Sequence, residues 1–151
     1  MLEEMKLHNV EIRVFCKPED NLEKVKNGLL SLVPFDLSKE KIRLNQKNTF
    51  GFNEKKIVIL SIKLDKQRHV NQFLEKLCND LTQEQKELIK KQAESRLDNE
   101  MLFYLRFDKN KLINETRLWL TDKGDCYHIK LSIASFPRTR EKALECVRSI
   151  F

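Results

Sequence analysis

Glycine and proline are scarce in this chain, three of each in 151 residues, and its four cysteines are widely scattered. So few glycines cannot build a phosphate cradle of the G-x-x-x-x-G-K-[ST] or G-x-G-x-x-G kind, and neither motif is present. Cys16, Cys78, Cys126 and Cys146 form no C-x-x-C pair, which argues for reduced thiols in strands and helices over a disulfide framework or a zinc site. His8, His69 and His128 stand apart, with no H-x-x-x-H and no Cys/His cluster. His128 lies close to Cys126, but residues so spaced on a strand share a face without being placed for proton transfer. No apolar run approaches the ~20 residues of a membrane span, and Met1 to Lys6 is short and acidic, unlike a secretory leader. These absences predict a cytoplasmic protein with no metal, no cofactor and no membrane contact.

What is present is charge. Lys+Arg 29 against Asp+Glu 23 leaves a net +6, which favours a polyanionic partner such as RNA or an acidic protein surface. With 40% hydrophobic residues the chain can bury a core without staples, and residues 1–151 read as one domain.

The organising stretch is Met101 to Asn110. Met101, Phe103, Leu105 and Phe107 alternate with Leu102, Tyr104, Arg106 and Asp108, the period of a half-buried strand. One side anchors a core. The other sets the Tyr104 ring beside the Arg106 guanidinium, with Lys109 just beyond, a combination that suits stacked bases and phosphates.

Before it, Val10, Ile12, Val14 and Cys16 predict a strand, and Asp20-x-x-Glu23 reads as a capping box for a helix carrying Leu22, Val25, Leu29 and Leu32. Lys41 to Leu44 is a short strand candidate. Asn48 to Lys55, with Gly51 between Phe50 and Phe52, reads as a hairpin turn into a central strand over Ile57 to Leu64. Asp65 is placed to cap a helix with the stripe Val70, Phe73, Leu74 and Leu77, and Thr82-x-x-Gln85 opens another. After the Met101 strand, Leu112 to Leu120 alternates weakly around Trp119, and Tyr127 to Ile133 alternates cleanly. Pro137 and Thr139 open a final helix. The order β-α-β-β-α-α-β-β-β-α predicts a single α+β domain, a mostly antiparallel sheet with helices packed on one face.

An open sheet face would carry Arg13, Lys63, Arg106, His128 and Lys130, with Tyr104 and Phe15 as rings. Arg138, Arg140 and Lys142 gather at a helix N-terminus, where the macrodipole disfavours cations. Such a cluster is expected to grip phosphates with the helix amides, unless Glu141 and Glu145 neutralise it. Carboxylates at strand ends, Glu11, Asp65, Asp98, Asp108 and Asp125, are where a nuclease would hold Mg²⁺, but no D-x-D or E-x-x-D spacing announces a site. The chain therefore reads as no enzyme.

Three stretches, His8-Asn-Val-Glu-Ile-Arg-Val-Phe-Cys16, Tyr104-Leu-Arg-Phe-Asp-Lys109 and Phe136-Pro-Arg-Thr-Arg-Glu-Lys-Ala143, resemble an archaeal family of small RNA-binding, predicted exosome-associated subunits. Ile57 to Asp65 and Phe73 to Leu77 match in register, so the resemblance spans nearly the whole chain. It implies a fold similar to the ribosomal protein that holds 5S ribosomal RNA, and RNA as partner. The family's Gly- and His-rich turn reads here Thr49-Phe-Gly-Phe-Asn-Glu-Lys-Lys56, which keeps the glycine and replaces the histidines. The expected RNA contacts are Arg106, Lys109, Arg138, Arg140 and Lys130, with Tyr104, Phe50 and Phe52 for stacking. A ribonuclease or ribosome-related complex is the further partner class, and a homodimer is compatible. The alternative is a subunit that docks on an acidic protein without touching RNA.

Overall fold

The strongest alternating runs in the sequence pair with one another. In the computed structural model, which describes residues 5–151 apart from the side chain of Phe52, β1 (Leu7–Cys16) lies at the centre of a five-stranded sheet. It pairs antiparallel with β3 (Lys56–Leu64) on one side and β5 (Cys126–Ile133) on the other. β2 (Leu44–Phe50) closes the β3 edge and β4 (Leu102–Asp108) the β5 edge, both antiparallel, giving the order β2-β3-β1-β5-β4. The acidic start, Met1 to Glu4, and the Phe52 ring lie outside the described residues.

Period-two alternation puts Val10, Ile12, Val14, Leu60, Ile62, Phe103, Leu105, Phe107, Ile129 and Leu131 on one face, all buried. On that face sit α1 (Leu22–Leu30), α2 (Gln67–Asp80), α3 (Gln83–Lys91), α4 (Ala93–Arg96), α5 (Lys109–Glu115) and α6 (Arg140–Ile150). Their apolar stripes, including Val25, Leu29, Val70, Phe73, Leu77, Ile89 and Val147, join the strand residues in one core. Each of these side chains stabilises the fold by roughly 1.5–3 kcal/mol through water removed from apolar surface. The result is a single α+β domain with helices on one face of an antiparallel sheet.

Several local expectations are corrected. The first helix is capped by Asn21, whose side chain accepts from the Lys24 amide, because Asp20 is held elsewhere. Lys66, with no side-chain cap bond, takes the position before α2 that Asp65 was expected to fill. Thr82 and Gln85 do form a reciprocal capping box. Lys41 has φ 58° and lies in a turn, so the second strand begins only at Leu44 and runs on to Phe50 before turning at Gly51. Leu112 to Leu120 is a helix first. Asp108 caps α5 by accepting from the Lys111 amide, and Leu120 returns as a single bridge beside Phe107.

The helical layer sits tightly on β5. Tyr127 reaches across to donate its hydroxyl to the Val25 carbonyl at 2.8 Å, and burial pushes its pKa up. That hydroxyl occupies the space a Cβ at Gly28 would need. Helix propensity favours Ala over Gly by ~1 kcal/mol, whereas overpacking costs ~1–3 kcal/mol and the lost hydrogen bond about another. Gly28→Ala is therefore expected to destabilise by about 2 kcal/mol, seen as a Tm lower by roughly 4–8 °C in a circular-dichroism melt. An unchanged or raised Tm would show that α1 can lift off the sheet freely.

Candidate nucleic-acid interface

The sheet face turned away from the helices is built row by row from the strand register. In one row Asn45, Ser61, Arg13, His128 and Arg106 lie side by side across all five strands. In the next, Lys63, Glu11, Lys130 and Tyr104 lie side by side across four of them, β3, β1, β5 and β4. A third carries Lys47, Ile59 and Phe15. Cations dominate this face. Arg13, Lys47, Lys63, Arg106 and Lys130 stand against Glu11 and Asp108, and Asp108 already serves as the α5 cap.

Their partners differ. Lys130 Nζ is 3.5 Å from Glu11, both partly exposed, an ion pair weak enough for a phosphate to replace. The guanidinium of Arg13 stands over the Phe15 ring at 5.6 Å, and that ring is 46% exposed. The side chains of Arg106, Lys47 and Lys63 make no hydrogen bond or ion pair among the described residues. Tyr104 donates its hydroxyl to Asp98 Oδ2 at 3.1 Å, and its ring lies 5.2 Å from that of His128, tilted by 36°. Asp98 Oδ1 also accepts from the amides of Glu100 and Leu102. Burial alone would raise the Asp98 pKa, but these bonds and the nearby Lys130 hold it below the usual range. The ring is thus fixed in place by a turn.

His128 sits in the middle of the cations. Burial first, then Arg106, Arg13 and Lys130, lower its pKa to about 4, so it is neutral at pH 7. The unfolded value is near 6.5. A histidine depressed in the folded state costs nothing above that pH, and stability falls as the pH drops from ~6.5 towards ~4. Wild type is expected to lose up to about 3 kcal/mol over that window relative to His128→Asn, measured by melts at stepped pH. An imidazole NMR titration with a midpoint near 6.5 would contradict the depressed value.

The structure separates the residues expected from sequence. Tyr104, Arg106 and Lys130 are brought together on the open face. Lys109 is not a surface cation. It is 1% exposed, and its Nζ donates to the Phe15 carbonyl at 2.9 Å and to Asp20 Oδ2 at 2.7 Å, with Asp125 at 3.6 Å. Burial pushes the Asp20 carboxyl up, yet the Lys109 bond, the Lys17 amide and both ammonium charges hold it below the normal range. Arg140 does not face solvent phosphate either. Its guanidinium donates to the carbonyls of Leu97 at 3.0 Å and Glu94 at 2.6 Å, tying α6 to the end of α4. Lys142 pairs with Glu145 at 3.2 Å, while Arg138 donates once to the Glu100 carbonyl and stays exposed. Phe50 is 75% exposed but shares strand parity with Leu44, Gln46 and Asn48, so it belongs to the helix side at the hairpin corner. Phe52, the other ring expected to stack, falls outside the described side chains.

Sequence reasoning alone misses Trp119 and Phe136, exposed by 45% and 97%. The signal that could find them is an aromatic close to Arg, as in Arg117-Leu-Trp119 and Phe136-Pro-Arg138. The strand-end carboxylates Glu11, Asp98, Asp108 and Asp125 each have a local partner. Glu11 faces Lys130, Asp98 builds its turn, Asp108 caps α5, and Asp125 holds Lys17 and Lys109. Among the described residues, no three His, Cys, Asp or Glu side chains converge as metal ligands, and no helix is long and apolar enough to cross a membrane.

A family model described as RNA binding matches residues 9–134, which takes in all five strands of the sheet but for the first two residues of β1. The chain belongs to this RNA-binding family. An RNA-binding protein of Pyrococcus abyssi is 28% identical over 149 residues, covering 98% of this chain and 96% of that one. A DUF54 crystal structure from Archaeglobus fulgidus has a TM-score of 0.85 at 25% identity, covering 97% of this chain and 100% of the other. A second DUF54 structure, from Methanothermobacter thermautotrophicus, has a TM-score of 0.77 at 25% identity, covering 97% and 98%. A UPF0201 protein from Methanococcus jannaschii, 16% identical with a TM-score of 0.59 over 94% of this chain and 98% of that one, shares the fold alone.

Proposed function

We propose that this chain is a non-catalytic RNA-binding protein whose open sheet face holds the RNA backbone. The observation that carries the reading is the row Arg13, His128, Arg106, flanked by Lys63 and Lys130, on a face that none of the described helices covers. Cations there outnumber carboxylates, and Arg106 and Lys63 have no ion-pair partner among the described residues to give up. Tyr104 and Phe15 offer apolar ring surface between them, and bases stack on such rings with little regard to sequence. Membership of an RNA-binding family and the name of the Pyrococcus abyssi relative support the same ligand. Arg138, exposed beyond the β4–β5 end, extends the cationic surface. Resemblance to the exosome-associated subunits makes RNA processing or degradation machinery the natural setting.

Because phosphate contacts would dominate, binding should fall steeply with salt and discriminate little between sequences. Retention of a mixed RNA pool on nitrocellulose across a salt series tests this. Retention that collapses between roughly 50 and 200 mM salt is expected for a handful of neutralised phosphates. Retention that does not change with salt would reject the mechanism, and no retention at low salt would turn attention to an acidic protein partner.

A further inference from the structure

Trp119 lies just outside the sheet, on the free side of β4. The Asp108 amide donates to the Trp119 carbonyl at 2.8 Å, the Thr121 amide donates to the Arg106 carbonyl at 3.0 Å, and Leu120 bridges to Phe107 between them. This is a short antiparallel pairing, so Leu120 takes the core side with Phe107, and Trp119 and Thr121 fall on the side of Asp108 and Arg106. The row of Arg13, His128 and Arg106 thus continues outward into the segment that carries the indole.

The indole is the chain's one tryptophan and is 45% exposed. Two cations stand against it, Lys111 Nζ at 5.2 Å and the Arg117 guanidinium at 5.3 Å from the ring centre. Lys111 is also paired with Glu115 at 3.0 Å, whereas Arg117 is exposed and its guanidinium has no hydrogen bond among the described residues. Beside the ring, toward the helical layer, opens a groove of about 890 Å³ bordered by Asp80, Thr82, Glu84, Leu88 and Thr116. The Gln85 amide there is already held, accepting from the Thr82 amide and donating to the Leu118 carbonyl at 2.7 Å, so what is open to a ligand is the indole face and the two cations beside it.

We propose that Trp119, with Lys111 and Arg117, is a base-stacking site that makes single-stranded RNA the preferred ligand, with the strand running from the sheet face across β4 to the indole. The proposal rests on the sheet-face reading above and names its substrate class. An exposed cation–π interaction is weaker than stacking of a base on an indole, so a base displaces Arg117 from the ring. The freed guanidinium then meets the flanking phosphate. A base locked in a duplex has no free face for the indole, and that is why the strand must be single.

The test uses the intrinsic fluorescence of Trp119 in the full chain, together with anisotropy of labelled RNA. The probes are an oligouridylate of about twelve nucleotides and a blunt RNA duplex of similar length. The expected result is quenching by the oligouridylate and not by the duplex, with single-strand affinity reduced roughly tenfold in Trp119→Ala and largely kept in Trp119→Phe. Melts of both variants confirm folding, and the phenylalanine variant keeps the test valid should the alanine variant be unstable. Binding seen by anisotropy with unchanged fluorescence and unchanged Trp119→Ala affinity would overturn this site and leave the sheet-face reading standing. Quenching by duplex alone would overturn the ligand class. Absence of all RNA binding would overturn both readings, and a groove that captures an acidic protein instead would then account for the exposed ring.

Discussion

Replacing Arg13, Arg106 and Lys130 together by alanine is expected to weaken RNA binding about a hundredfold, on roughly 1 kcal/mol for each cation withdrawn from a phosphate. The plot of log affinity against log salt should flatten at the same time, its slope shrinking by roughly 0.7 to 0.9 for every phosphate no longer neutralised. These side chains stand on three adjacent strands, β1, β5 and β4, so one RNA backbone can meet all of them. Net charge alone could mimic the effect, because a protein of +6 attracts any polyanion. The control is Lys24→Ala/Lys39→Ala/Lys91→Ala, which removes equal charge from exposed positions outside the sheet. Equal losses in both variants would mean that binding follows total charge and that the sheet face has no special part. Anisotropy titrations across a salt series make the comparison.

The second large effect concerns Lys109. Lys109→Met is expected to destabilise the protein by about 3 kcal/mol, because it leaves the Asp20 carboxylate without its hydrogen-bonded counter-charge, only the more distant Lys17 ammonium remaining, and the Phe15 carbonyl without its donor. The value stays near the low end for a broken buried pair because Asp20 and Asp125 keep some access to water, at 21% and 32% side-chain exposure. A Tm lower by roughly 6–12 °C should follow. RNA affinity of the folded variant should be near that of wild type, since the ammonium faces inward. The pH dependence has a definite sign. Asp20 is depressed in the folded state, so its contribution is present above the unfolded carboxylate value and disappears as the pH falls through the lower folded one. Wild type and variant should therefore converge in stability at strongly acidic pH. A variant as stable as wild type at neutral pH, or one that binds RNA far more weakly while fully folded, would return Lys109 to the surface role.

Lys109 also marks the limit of what alternation can predict. Period two places Tyr104, Arg106 and Asp108 correctly, and it holds as long as the strand does. At Asp108 the strand ends and a helix begins, so the following lysine turns with the new backbone and enters the space between β1 and α1. A lysine that ends a strand and one that begins a helix look alike in sequence. What decides is a carboxylate 89 positions away in the chain, and no local pattern encodes that distance. Arg140 is similar. Its clash with the helix dipole is legible in the sequence, but the carbonyls of Glu94 and Leu97 that answer it belong to α4 and its end, more than 40 residues earlier.

Sequence by itself determined the strand faces, the apolar stripes of the helices, the Thr82 capping box and the single α+β domain. Each of these depends on side-chain periodicity or on a partner within a few residues. It also determined which cations line the open sheet, because Arg13, Lys130 and Arg106, like the neutral His128 among them, are the polar members of alternating runs. Only the tertiary structure decided that these cations lie side by side, that Lys109 and Arg140 serve the fold, that Phe50 belongs to the other face, and that Trp119 extends the sheet beyond β4. Those outcomes turn on strand order, register and packing between distant segments, and there the physics is set by what the folded chain brings together.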